Sequence, residues 1–250
     1  LSIINQMTNN SVILLGYYGG DERHCLSAWQ STNLEIADSD GELPDEIDQR
    51  IHWLFSQTVI QKKKSPRDLL IFLAEHMHHS PFEKSLLDFQ VTAELASHIH
   101  TLKHRIGVSV NSESARYKEL EDKWYLPKDW KTINVQDTQK LGLGDEKLTW
   151  HSLLDKHTML SHHYYHQALK ELTPTLGRKR AKESARYFLP YNKQLDFDVC
   201  FNFRSFMHFQ GLRNSEHAQD EIHWIAEEML RLVKEIPGEP FRYSLEAFGS

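Results

Sequence analysis

The stretch from His100 to Lys118 sets Lys103, His104, Arg105, Arg116 and Lys118 against a single acid, Glu113. Four small polar groups, Ser109, Asn111, Ser112 and Ser114, lie among them. Guanidinium forks, hydroxyls and backbone amides are what a protein uses to hold a phosphate or pyrophosphate. Any one of these residues could simply end a helix or line a turn. The cluster as a whole, in an acidic protein, favours an anion site. A second group lies in the last third: Arg186, then Asn202, Arg204, Ser205, His208, Arg213 and His217. Arg213 and His217 are four apart and share a face if their helix begins before Arg213. Their density beside the apolar segment Phe197–Phe203 marks the edge of a pocket.

A third group is His76-Met-His-His-Ser-Pro-Phe-Glu83. Two histidines two residues apart could ligate a metal if the segment were extended. It sits at a helix end before Pro81, with no HExxH pair and no carboxylate at ligand spacing. A loop of His and Ser beside a cofactor is the better reading, and no metal site is expected. No glycine-rich phosphate loop and no GxSxG elbow occurs, so Rossmann, P-loop and hydrolase-elbow chemistry find no support.

Composition narrows the classes further. With 29 Lys and Arg against 35 Asp and Glu, the formal charge of -6 disfavours a partner that is a nucleic-acid polymer. No apolar stretch approaches the ~20 residues that span a bilayer. Leu1 to Tyr18 has no basic region ahead of Val12–Leu15 and does not read as a signal peptide. Two cysteines, Cys25 and Cys200, are too few for a disulfide framework and fit a reducing, cytoplasmic setting. Sixteen histidines point to a metal site or a polar cofactor pocket.

The elements that must position these groups follow from pattern. Ser11 to Leu15 reads as a strand ended by Gly19-Gly20, and Asp38 to Pro44 as a surface loop. Ile47, Ile51, Leu54 and Phe55 recur at helical spacing. Ser65-Pro66 starts a helix that runs to about His76. Leu87–Thr92 alternates as a half-buried strand, and Leu95, Ile99 and Leu102 mark the helix after it. Leu126 to Glu146 reads as a long connection, followed by a helix over about 149–172. Phe197–Phe203 is the clearest alternating strand, with Asn202 on the face opposite its aromatic residues, and a helix over about 204–210 follows. The last strong element spans about 215–236, with Ile222, Ile225, Ala226, Met229, Leu232 and Val233 as its stripe. Strands and helices mix without a βαβ rhythm, which favours α+β.

Taken together, four blocks resemble the flavin-dependent thymidylate synthases: His78–Glu83; Lys103-His-Arg105 through Ser114-Ala-Arg-Tyr117; Arg186–Pro190; and Asn202–Ser205 through Arg213 and His217–Gln219. The resemblance implies a single domain over residues 1–250, with mixed helices around a central antiparallel sheet and an enlargement at about 38–64. It implies reductive methylation of dUMP to dTMP, with methylenetetrahydrofolate as carbon donor, FAD as cofactor and NADPH as reductant, in a cytoplasmic homotetramer. By motif position His78, Ser80, Glu83, Lys103, His104, Arg105, Ser112, Asn202, Arg204, His208 and His217 fall at the flavin, and Ser31 is a further candidate. His100, Lys103, Ser112, Glu113, Ser114, Ala115, Arg116, Arg186 and Arg213 fall at the nucleotide. Arg213 matches the arginine that favours ionisation of the pyrimidine ring, an electrostatic role.

The chain also departs from the family pattern. Lys103 replaces the first signature arginine, which keeps charge but loses the bidentate fork. Eight residues rather than seven separate Arg105 from Ser114, and Ser112 and Glu113 stand where the family has Glu and an apolar residue. His100 replaces a common Gln, and His208 a common Asn. These changes raise two alternatives. One is a relative acting on another pyrimidine nucleotide, by methylation of UMP or by hydroxymethylation. The other is a catalytically silent nucleotide- or flavin-binding protein.

Overall fold

The computed structural model describes residues 10–31 and 43–250. The first half of Leu1 to Tyr18, and most of the Asp38–Pro44 loop that opens the expected enlargement, lie outside the described residues. Four strands, β1 (Ser11–Tyr18), β2 (Leu86–Glu94), β3 (Val108–Ser112) and β4 (Gln194–Asn202), form one antiparallel sheet in the order β1-β2-β4-β3. The helices among the described residues are α1 (Asp21–Gln30), α2 (Arg50–Val59), α3 (Pro66–Glu75), α4 (Leu95–Leu102), α5 (Trp150–Ala185), α6 (Phe203–Arg213), α7 (Asp220–Lys234) and α8 (Arg242–Ala247). The α+β expectation holds. The described residues divide into two compact units, one of 10–11, Val91–Lys103 and Asn111–Phe197, the other of 12–31, 43–90, His104–Val110 and Asp198–Ser250.

The core of the second unit is aromatic. Phe82, Phe203, Phe206, Phe209 and Phe241 are buried, with Phe203 and Phe241 stacked at 5.3 Å. Burying each such ring stabilises by roughly 1.5–3 kcal/mol. The stripe of α7 packs here, with Ile222, Ile225, Ala226, Met229 and Val233 buried, while Leu232, at its expected edge, is half-buried. Ser65 caps α3 by accepting from the Asp68 amide, ahead of Pro66 in the first turn. Gly20 holds φ 123 where β1 gives way to α1, and a Cβ there would stand 2.4 Å from the Pro240 carbonyl oxygen. Only glycine fits that approach.

In the first unit a smaller core forms from Ala115, Leu120, Tyr165, Leu169, Ala181 and Ala185. The buried Glu94 carboxylate caps α4 by accepting from the Ser97 amide at 3.1 Å, and Asn10 donates to its other oxygen at 2.8 Å. Thr149 and Ser152 form a capping box at the start of α5.

Four boundaries differ from the pattern reading. Helix α5 runs past Leu172, because the helical path resumes beyond Pro174 and a non-helical Gly177 (φ 75). Strand β4 ends at Asn202, since Phe203 already opens α6. α7 starts at Asp220 rather than about 215. α6 ends at Arg213, so Arg213 and His217 share no helix face.

A buried network joins α1 to α8. The Ser244 hydroxyl donates to Asp21, so it accepts from Nδ1–H of His24 at 2.8 Å, and His24 Nε2 accepts from Ser85 at 2.6 Å. Burial, with the Arg23 charge adding to it, pushes His24 down from 6.5 to about 3. Burial pushes Asp21 up from 3.8 to about 6, against the Ser244 hydroxyl and the Tyr243 and Ser244 amides.

These shifts act on stability with opposite sign. As pH falls from 6.5 towards 3 the unfolded chain binds more protons at His24, and stability is lost. As pH falls from 6 towards 3.8 the folded chain binds more at Asp21, and stability is gained. The two offset each other over that shared window. Asp21→Asn leaves only the His24 contribution, so its stability should fall relative to wild type by about 1.4 kcal/mol per pH unit from pH 6 to 4. Denaturant titrations across that range test this, and parallel pH profiles for the two proteins would refute it.

Candidate functional site

In the first unit the Ser114–Tyr117 loop is held from α5. Lys182 donates to the Tyr117 carbonyl at 2.8 Å, and Arg116 Nε donates to Glu183 at 2.9 Å. The Leu120 amide donates to the buried Tyr165 hydroxyl at 2.9 Å. A cavity of about 270 Å³ opens beside this loop, lined by Glu113, Ser114, Ala115, Arg186 and Lys193, with Leu95, Leu120, Leu189, Pro190 and Leu195 as its apolar wall. Two cations, one carboxylate, a hydroxyl and a leucine-rich wall suit a small anionic ligand carrying a flat ring.

Four of the expected nucleotide residues, Glu113, Ser114, Ala115 and Arg186, therefore meet at one pocket although Arg186 is far away in sequence. Arg116 is turned to Glu183 and does not line it. Glu113 also pairs with Lys118. The Ser112 hydroxyl is 2.6 Å from His98 Nε2, and so bonds within its own unit. His100 lies half-buried on α4, and Lys103 is exposed at that helix's end.

Lys193 is the residue that pattern did not reveal. It is 3% exposed, it donates to the Gln194 carbonyl, and burial lowers its pKa. It immediately precedes β4, bridged to Trp124, and nothing in its spacing sets it apart from a surface lysine.

In the second unit, the loop after Lys103 is stitched to the start of α6. The Asn202 amide donates to the Gly107 carbonyl at 2.8 Å, Ser205 Oγ donates to the Ile106 carbonyl at 2.7 Å, and Asn202 Oδ1 caps α6 through the Ser205 amide at 2.8 Å. Gly107 sits at φ 63, and a Cβ there would lie 2.1 Å from Asn202 Nδ2 and 2.5 Å from Ser205 Oγ. This places His104 with its ring 5.0 Å from Phe209 and 6.0 Å from His208. Arg213 Nε donates to His104 Nε2 at 3.1 Å, so the ring proton of a neutral His104 is on Nδ1.

On α6, Arg204 and His208 are four apart and both exposed, while Phe206 and Phe209 are buried. Arg204 donates to Glu83 at 2.6 Å. That bond joins the His78–Glu83 block to the Asn202–Arg213 block. Buried Pro81 and Phe82 anchor the first block and leave His78, Ser80 and Glu83 at the surface. Arg105 is exposed on its loop, and His217 is exposed in the turn between α6 and α7. Ser31 ends α1 and donates to the Ala28 carbonyl at 2.8 Å. Cys25 is buried, and burial raises the pKa of both cysteine thiols, so neither is prepared as a nucleophile.

The family model described as "Thymidylate synthase complementing protein" matches residues 14–237. A protein of Thermosipho africanus named flavin-dependent thymidylate synthase is 34% identical over 177 residues, 70% of this chain and 75% of that protein. One of the same name from Thermosipho melanesiensis is 32% identical over 176 residues, again 70% and 75%. A solved UMP/dUMP methylase from Streptomyces cacaoi, bound with 5-Br dUMP, superposes with a TM-score of 0.70 over 96% of this chain and 95% of that one. At 23% identity, that likeness is one of fold.

Proposed function

This chain belongs to the flavin-dependent thymidylate synthases, a methyltransferase enzyme family, and from that premise we propose that it methylates dUMP to dTMP. In this reading methylenetetrahydrofolate supplies the one-carbon unit and NADPH the reducing equivalents. FAD, when bound and reduced by NADPH, would supply the hydride that completes the methyl group, while the ring carbon that gains the methyl gives up a proton. The observation that carries the reading is the pocket that unites Ser114 and Arg186 with Glu113, Ala115 and Lys193.

The chain's own residues have separable tasks. Ser114, Arg186 and Lys193 hold the nucleotide's anionic end, while the leucine wall excludes water from its ring. Arg116 joins them only by sharing or releasing Glu183. His104, Arg105, Arg204 and His208 are a donor set that fits the pyrophosphate of a dinucleotide, with two guanidiniums and two imidazoles. Arg213 stabilises negative charge as it develops on the pyrimidine. Among the described residues no helix is long and apolar enough to cross a membrane. A cytoplasmic homotetramer completes the proposal.

A second reading, UMP as substrate, is favoured by Glu113. Its carboxylate lines the pocket and can accept a hydrogen bond from a ribose 2′-hydroxyl, which a deoxyribose lacks. The visible spectrum of the purified protein is the first test, recorded before and after FAD and then NADPH under anaerobic conditions. A flavin band that bleaches is expected, followed by turnover of dUMP to a product with the mass of dTMP. Preferred turnover of UMP, or a hydroxymethyl product, would replace the dUMP assignment. Absence of bound flavin with FAD in excess would overturn the enzymatic reading in favour of a silent binding protein.

A further inference from the structure

Helix α5 carries His162 and His166 one turn apart, and both face the same carboxylate. His162 Nδ1 is 2.7 Å and His166 Nε2 2.8 Å from Asp122 Oδ1, and one ligand atom from each of the three residues lies within 4.8 Å of the others. None of these residues belongs to the pocket or the basic cluster described above.

We propose that Asp122, His162 and His166 form a binding site for a divalent transition-metal ion, zinc by its ligand chemistry. Two imidazole nitrogens and one carboxylate oxygen, with a fourth position open to water, make up a common three-ligand zinc set. Around a tetrahedral zinc such ligand atoms stand about 3.4 Å apart. The two short edges therefore open by less than about 1 Å, and the third edge, at most 4.8 Å long, closes by no more than about 1.4 Å. A pair of histidines at i and i+4 on one helix face supplies two ligands with no loop to be ordered.

The surroundings support a metal more than a bare hydrogen-bond cluster. Glu119 lies 3.0 Å from His166 Nδ1. A carboxylate behind a ligating imidazole is the arrangement that fixes the ring and raises its basicity towards a metal. Without an ion, both nitrogens of His166 face carboxylate oxygens, so the ring must carry two protons to satisfy them. Zinc replaces the one on Nε2, which is released to solvent. The His162 ring is buried and held against Trp124 at 5.0 Å, so its position is set in advance. When an ion takes Nδ1, the ring proton moves to Nε2, which is buried without a hydrogen-bond partner. Asp122 is about half exposed and lines an open cavity of about 510 Å³ together with Lys123 and Trp124, which gives an ion a way in. The site would clamp the segment around Leu120 onto α5.

The full chain, stripped of metal with a chelator and dialysed, is titrated with zinc by calorimetry and with cobalt by visible absorption. One equivalent should bind, with the cobalt bands of a four-coordinate site. His166→Gln, at a partly exposed position, should weaken zinc binding at least 100-fold with an unchanged circular dichroism spectrum. Glu119→Gln, which touches no metal, should weaken it by about 10-fold. Failure of the stripped wild type to bind either ion would overturn the proposal. Equal affinity in His166→Gln would do so as well, since the ion would then lie elsewhere. The outcome does not depend on the nucleotide reading.

Discussion

Arg213→Ala should lower turnover by about 100- to 1,000-fold while the protein keeps its fold and its flavin, the loss expected when one preorganised charge is removed from a developing anion. Arg213 is half-buried in the last turn of α6 and donates through Nε to His104. That bond fixes the plane of the guanidinium before any ligand arrives. An arginine already oriented costs nothing to reorganise at the moment of reaction, which is where its electrostatic advantage lies. Arg213→Lys keeps the charge but loses the fork and should fall between wild type and alanine. Steady-state kinetics with dUMP and with UMP, together with the melting temperature, separate the two effects. A kcat within twofold of wild type would remove Arg213 from the reaction.

The second large effect is expected at Gly107. Alanine there must hold a left-handed backbone, costing about 1–2 kcal/mol. It must also displace Asn202 and Ser205, whose atoms lie 2.1 and 2.5 Å from the new methyl. The bonds from Asn202 to Gly107 and from Ser205 to Ile106 are then strained or lost, at about 1 kcal/mol each. Together these amount to roughly 3–4 kcal/mol, or on the order of 10 °C in melting temperature for a chain of this size. Because the same loop carries His104 and Arg105, flavin retention should fall with it. A melting temperature within 2 °C of wild type would show that the loop absorbs the methyl elsewhere.

Much of this architecture could be read from residue pattern, for reasons that differ by element. β2 and β4 alternate cleanly because one face of each is buried, and α7 shows its stripe because one side packs on aromatic rings. α1 escaped notice because its N-cap is Gly20, with no capping side chain, and charged residues fill its first turn. β3, Val108–Ser112, is short and polar, so only its neighbours in the sheet reveal it. α8 is six residues long, below the length at which helical period is visible.

At the candidate site, motif spacing led to Ser114 and Arg186, but only the fold shows them lining one pocket. Lys193 was hidden because a lysine's burial depends on tertiary packing. The pair His162 and His166 did carry a signal, an i and i+4 spacing on an expected helix. Its third partner, Asp122, is too distant in sequence to have been joined to them.

Neither compact unit is a continuous stretch of chain, and this bears on how the protein is made. α3 packs against α8, its largest helical neighbour, although the two stand far apart in the sequence. At about 5–20 residues per second, the roughly 170 residues between them take on the order of ten seconds to synthesise. Throughout that interval the apolar face of α3 leaves the ribosome without its partner, so the nascent chain is a natural client for a holdase.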